Sequence, residues 1–160
     1  MDDRAHLIGQ LKNRALIYLE MYDVLAEELG PERAEALMTR AIYRRGRSAG
    51  KALSRYAPND LSGLKNAFLA VVPGGEAIFK PKVLRDEPAA LEIQLQGCPL
   101  KDAWREAGVP EEKVATLCRI AGAVDKGLFE GAGFAFQNRT WTPGAHGCCF
   151  LSIKPASPKA

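Results

Sequence analysis

Residues 90–98 read ALEIQLQGC, and in them Leu91, Ile93 and Leu95 alternate with Glu92, Gln94 and Gln96. That period of two is the signature of a strand buried on one face. Upstream the period is helical. Ile8, Leu11, Ala15, Tyr18, Tyr22, Leu25 and Leu29 return at three- and four-residue steps from Asp3 onward, until Gly30 and Pro31 stop one helix and start another that runs to about Tyr56. A third helix follows PND, with Asn59 or Asp60 as its cap, and passes through Leu64, Phe68 and Val71 to the breaker PGGE at 73–76. Residues 77–86, AIFKPKVLRD, read as a weaker strand, since Pro81 cannot donate to a ladder and belongs at an edge.

Downstream, PLKDAWREAG at 99–108 and PEEKVATLCRIAGAVDKGLF at 110–129 read as helices. GFAFQNRT at 133–140 and GCCFLSIKP at 147–155 read as two strands joined by a turn holding Pro143 and Gly144. Three helices, two strands, two helices and two strands predict an α+β fold, a helical N-terminal half packed on a small, mostly antiparallel sheet. Helix should dominate up to about Val72 and the strands should lie between Ile78 and Ile153. One domain is expected over residues 1–154, with a frayed tail at 155–160.

With 160 residues, 47% of them hydrophobic and 26% charged, the chain can bury a proper core without staples. The opening MDDRAHLIGQLKNR has neither the basic start nor the apolar run of a secretory signal. No apolar stretch reaches the ~18 residues that span a bilayer. The four cysteines are therefore expected to be reduced thiols of a cytoplasmic protein with no membrane partner. A formal charge of +3 is too small to announce a polyanion.

Three features carry chemistry. Cys98 closes a strand where Pro99 opens a helix, and the free N–H groups and dipole of a helix N-terminus favour a thiolate there. The alternative is a small residue that fits a tight corner. Cys118 and Asp125 stand two turns apart on one helix face. Cys118 alone reads most simply as a packed thiol. A buried Asp125 would need a donor, for which Arg139 is a candidate, and an exposed one would be a solvated charge. Third, HGCCFLSI at 146–153 sets His146 beside two thiols. On that strand Cys148 shares a face with Phe150 and Ser152 and Cys149 the other with Leu151 and Ile153, so at most one of them looks into a given pocket.

Zinc would be served if Cys118, His146 and Cys148 or Cys149 converged, yet no pair has the spacing of a zinc ribbon. The metal set is left unknown and zinc is weakly supported. A basic stripe, Arg40, Arg44, Arg47, Lys51 and Arg55, with Arg45 beside it, occupies one face of the second helix, while Gly46 and Gly50 would let another backbone approach. The stripe reads as a solvated face or as an anion site. Nucleic acid is disfavoured because few aromatics are interleaved.

The segments GCPLKDAWREAG (97–108), LCRIAGAVD (117–125) and NRTWTPGAHGCCF (138–150) resemble the L-2-amino-thiazoline-4-carboxylic acid hydrolase family, as do YLEMYDVLAEELGPERAEALM (18–38) and GRSAG (46–50). More distantly the chain is similar to 4-vinyl-reductase-like small-molecule sensor domains, whose metal ligands fall at positions that here look like Asn138 and Trp141, neither an ordinary ligand. That second likeness implies a ligand cavity between helices and sheet.

The first resemblance implies hydrolysis of a cyclic amidine, in which water adds at the amidine carbon and the ring opens to an N-carbamoyl-cysteine. It implies thiol roles for Cys98, Cys118 and Cys149, acid or base work for Asp125, and a substrate-binding group of Arg139, Thr140 and His146, with Arg139 meeting a small-molecule carboxylate. It also sets Cys149, rather than Cys148, opposite Cys118, leaving Cys148 to pack with Phe150. The competing function is a non-catalytic sensor for a small molecule or metal. A homo-oligomer is left open.

Overall fold

The computed structural model describes residues 3–157. Helix α1 (Asp3–Leu29) and helix α2 (Pro31–Gly50) meet at Gly30, whose φ of 84° suits glycine, and Pro31 starts α2 where no N–H is needed. A 3-10 segment, Lys51–Tyr56, continues α2. Asp60, the aspartate of the two expected caps, accepts from the Gly63 N–H at 2.8 Å and starts α3 (Leu61–Val71).

The expected breaker holds one further helical turn, α4 (Gly75–Ile78), entered through Gly74 in the left-handed region. The first strand consequently begins at Pro81, not Ala77. Strand β1 (Pro81–Glu87) pairs with β2 (Ala90–Leu95), helices α5 (Pro99–Glu106) and α6 (Glu111–Gly131) follow, and β3 (Ala135–Arg139) and β4 (Phe150–Lys154) complete the fold. The sheet order is β1-β2-β4-β3, antiparallel throughout, and β1 with its proline is an edge strand as expected. The fold is α+β, with the helical N-terminal half and small sheet that the pattern predicts.

Alternation in β2 does what its sequence asks. Leu91 and Ile93 are fully buried and pair with Ile153 and Leu151 of β4, forming with Leu64, Phe68, Phe129 and Phe136 one apolar cluster under the sheet. A second cluster joins Leu11, Ala15, Met38, Leu100, Trp104, Leu117 and Ile120. Helix α6 contributes to both, its first half to the second cluster and Phe129 to the first. The indole N–H of fully buried Trp104 donates to the Ala15 carbonyl at 2.7 Å and ties α5 to α1.

The close approach expected at Gly46 and Gly50 is real and reciprocal. A Cβ on Gly46 would fall on the Val124 carbonyl and one on Gly50 on that of Leu128, while a Cβ on Gly127 would fall on the Tyr43 carbonyl. Helices α2 and α6 thus cross backbone to backbone. The stripe of Arg40, Arg44 and Arg47 on α2 and Lys51 and Arg55 on the 3-10 segment after it is exposed.

The fourth strand starts later than the sequence suggests. Gly147 has φ 75°, outside the strand region, and Leu95 accepts from the Cys148 N–H at 2.8 Å while donating to the Cys149 carbonyl at 2.9 Å. Two residues stand opposite one, which is a bulge and breaks the alternation assumed for HGCCFLSI. Residues 1, 2 and 158–160, the last within the expected tail, lie outside the described residues. In the rest of that tail, the Ala156 N–H donates to the Pro58 carbonyl at 3.2 Å.

Candidate functional site

A cavity of about 260 Å³ receives side chains from both apolar clusters. Phe68, Leu95, Leu100, Trp104, Val124 and Trp141 give it a largely apolar wall. All four cysteines line it, together with Asp125, Lys101 and Arg14. Both thiols of the Cys148–Cys149 pair face it, because the bulge removes the alternation that would have sent them apart. The expectation that Cys148 packs elsewhere with Phe150 is therefore corrected. Cys118 and Cys149 do face the same space.

Cys98 is placed by the corner that joins β2 to α5. Gly97 keeps that corner tight, since a Cβ there would lie 2.5 Å from the Ile78 carbonyl of α4. The Cys98 thiol is lowered to about 7, first by the neighbouring Cys148 thiol and then, against the cost of burial, by the N–H groups of Lys101 and Leu100 in the first turn of α5. The other thiols go the opposite way. Burial and the charge on Cys98 push Cys118 up to about 12, and burial with the nearby Asp125 raises Cys149. Cys148 is raised because its proton serves the bond to Cys98. One thiol in four is thus set to be a thiolate near neutrality.

Asp125 is raised to about 7, and burial is the whole cause. No hydrogen bond or ion pair of the described residues reaches its carboxylate, and Arg139, the candidate partner, is elsewhere. Arg139 is exposed, with its guanidinium 4.6 Å from the centre of the Phe150 ring. Thr140 meets α6 where the chain has no side chain, its methyl lying 2.6 Å from where a Gly122 Cβ would be. His146 is exposed, and its carbonyl accepts from the Gln94 side chain at 3.3 Å. None of these three residues lines the cavity, so the fold brings together the four expected thiol and acid residues but not the expected substrate-binding group.

The cations that do line it are Lys101 and Arg14. Lys101 has a side chain only 14% exposed and pairs with Asp102 at 3.1 Å. Burial alone would lower its ammonium, but Asp102 and the sulfurs of Cys148 and Cys98 outweigh that and raise it. Its place three residues after Cys98, in the first turn of a helix, was a usable sequence signal. Arg14 comes from an exposed position of α1 and offered none.

Zinc was expected only if His146 joined the thiols, and it faces solvent instead. Among the described residues no group of three or more His, Cys, Asp or Glu is arranged to hold a metal ion. No helix among them is long and apolar enough to cross a membrane.

The sequence model of the L-2-amino-thiazoline-4-carboxylic acid hydrolase family matches residues 10–151. The chain belongs to this family. The match spans α1 through β4 and so includes every residue of the thiazoline-hydrolase-family cavity named above. No curated protein matches the chain. Among solved structures, this family member is similar to the phenol-responsive sensory domain of the transcription activator PoxR, crystallised with phenol. The TM-score is 0.56 and the identity 17%, over 88% of this chain and 73% of that one. At that identity the likeness is one of fold.

Proposed function

We propose that the cavity opens a five-membered cyclic amidine bearing a carboxylate, a 2-amino-thiazoline-4-carboxylate or a near relative, with Cys98 as nucleophile. The observation that carries the reading is that Cys98 and Asp125, whose carboxylate no hydrogen bond or ion pair of the described residues reaches, line one largely apolar cavity, with the Cys98 thiol lowered and the Asp125 carboxyl raised to about 7. An amidinium supplies the charge and donors that Asp125 lacks. A substrate carboxylate finds Lys101 and Arg14 in the same wall.

In this mechanism the Cys98 thiolate adds to the amidine carbon and forms a C–S bond. The charge on the amidinium is cancelled in that step. The ring C–S bond then breaks, Asp125 passing a proton from an amidine nitrogen to the departing ring sulfur, which leaves as a thiol. An isothiourea on Cys98 remains. Water adds to its carbon, Cys98 leaves, and the product is the N-carbamoyl-cysteine, with one water consumed. A carboxyl group with a pKa near 7 suits a proton shuttle at neutral pH.

The largely apolar wall and the fold shared with a phenol-responsive sensory domain support a second reading, a sensor that binds a small, flat ligand without turnover. Incubation of the purified chain with the thiazoline, following the new thiol and the urea product, separates the two. The hydrolase reading predicts multiple turnovers that vanish in Cys98→Ser. Stoichiometric binding without product supports the sensor.

A further inference from the structure

We propose that Cys98 and Cys148 are a peroxide-responsive pair, joined in a reversible disulfide that closes the cavity to chemistry. The inference goes beyond the hydrolytic reading, since it shares Cys98 but needs no amidine. Four cysteines face one cavity, and Cys148 is pinned there by its backbone bond to Leu95, three residues before Cys98 at the corner into α5, so these two sulfurs are brought to the same corner. Each is fixed by a different element. Cys98 stands at the start of α5, and Cys148 is held to β2 by its backbone bond to Leu95. A thiolate set by a helix N-terminus beside a second thiol is an arrangement suited to oxidation followed by resolution.

The steps balance. The Cys98 thiolate attacks one oxygen of a hydroperoxide, the O–O bond breaks, hydroxide or alkoxide leaves, and Cys98 becomes a sulfenic acid. The Cys148 sulfur then attacks the Cys98 sulfur, its proton goes with the departing hydroxyl as water, and the S–S bond forms. Two thiols lose two electrons and the peroxide bond takes both. A small dithiol reverses the change by exchange. Lys101, whose ammonium is raised partly by these two sulfurs, stabilises the thiolate that exchange regenerates. Cys118 and Cys149 line the same cavity, but it is Cys148 that the bond to Leu95 holds at the Cys98 corner, so they trail in resolution.

The test is stoichiometric hydrogen peroxide on the full chain, capping of free thiols, and mapping without reduction. Cys148 and Cys149 share a peptide in any digest that cuts after Lys or Arg, so the bridge is assigned with Cys148→Ser and Cys149→Ser. Wild type and Cys149→Ser should lose two hydrogens in a Cys98–Cys148 bridge that dithiothreitol reopens. Cys148→Ser, folded by circular dichroism, should instead show Cys98 sulfenic acid captured by dimedone at about tenfold the wild-type level or more. The proposal is overturned by a dominant bridge to Cys149 or Cys118, by peroxide that leaves Cys98 and Cys148 separately alkylatable, or by equal dimedone capture in wild type and Cys148→Ser. Mapping reads the thiols without turnover, so a bridge in a protein that hydrolyses nothing upholds this inference alone, and turnover without a bridge overturns it alone.

Discussion

The Cys148 thiol lies beside Cys98 and is the largest single influence holding Cys98 as a thiolate, ahead of the helix N–H groups that the sequence suggested. Cys148 would not hold this arrangement on a regular strand. The bulge opposite Leu95 is what turns Cys148 toward the corner.

That relationship sets the pH dependence of alkylation. Cys98 should react with iodoacetamide with a midpoint near pH 7, while Cys118 stays inert until far more alkaline conditions. Cys148→Ala removes the donor, so the Cys98 midpoint should move upward. A midpoint unchanged in that variant would show that the helix N-terminus suffices.

Asp125 gives an opposite slope to stability. Its carboxyl is raised from 3.8 to about 7 in the folded state, so the folded chain binds this proton more tightly than the unfolded chain. The group therefore costs nothing below pH ~4, progressively destabilises between ~4 and ~7, and levels off above. Asp125→Asn should match wild type in denaturant midpoint near pH 4 and exceed it at pH 8, by an amount on the order of a few kcal/mol. A difference independent of pH would refute the raised Asp125 carboxyl.

The crossing of α2 and α6 is tested by two alanines of opposite sign. Gly46→Ala should lose about 3 kcal/mol or more, because its Cβ meets the Val124 carbonyl rather than a side chain that could move. Gly9→Ala, with open space around it in α1, should gain about 0.5–1 kcal/mol. Chemical denaturation of the three proteins measures both, and a Gly46→Ala chain as stable as wild type would contradict the crossing.

Charge recognition is expected from inside the cavity and not from the stripe on α2. Lys101→Gln should raise KM for a carboxylate substrate about tenfold or more, the scale of a hydrogen bond to a charged group. Arg40→Gln with Arg44→Gln should leave KM unchanged and stability within about 0.5 kcal/mol, as both residues are exposed. Loss of substrate affinity in the stripe variant alone would move the anion site to α2.

Local chemistry made much of this legible in the sequence. The alternation of Leu91, Ile93 and Leu95, the restart at Pro31 and the cap at Asp60 each act within a few residues, so each could be read without knowing the fold. Cys98 at a strand-to-helix corner was legible for the same reason. The bulge was not, because a period of two extrapolates through Gly147 unless its left-handed φ is known. Arg139 was expected to meet Asp125, but β3 turns it onto Phe150, and the cavity takes its cations from α1 and α5, a choice made by tertiary packing.

Attack of Cys98 on the amidine carbon is read by acid quench of the chain with excess thiazoline during turnover, followed by intact mass and peptide mapping. A species heavier than the protein by one whole substrate should appear, since ring opening on Cys98 expels nothing, carried on the peptide that contains Cys98 and absent from Cys98→Ser. Turnover in Cys98→Ser at the wild-type rate, or an adduct mapped to Cys118, Cys148 or Cys149, would contradict it.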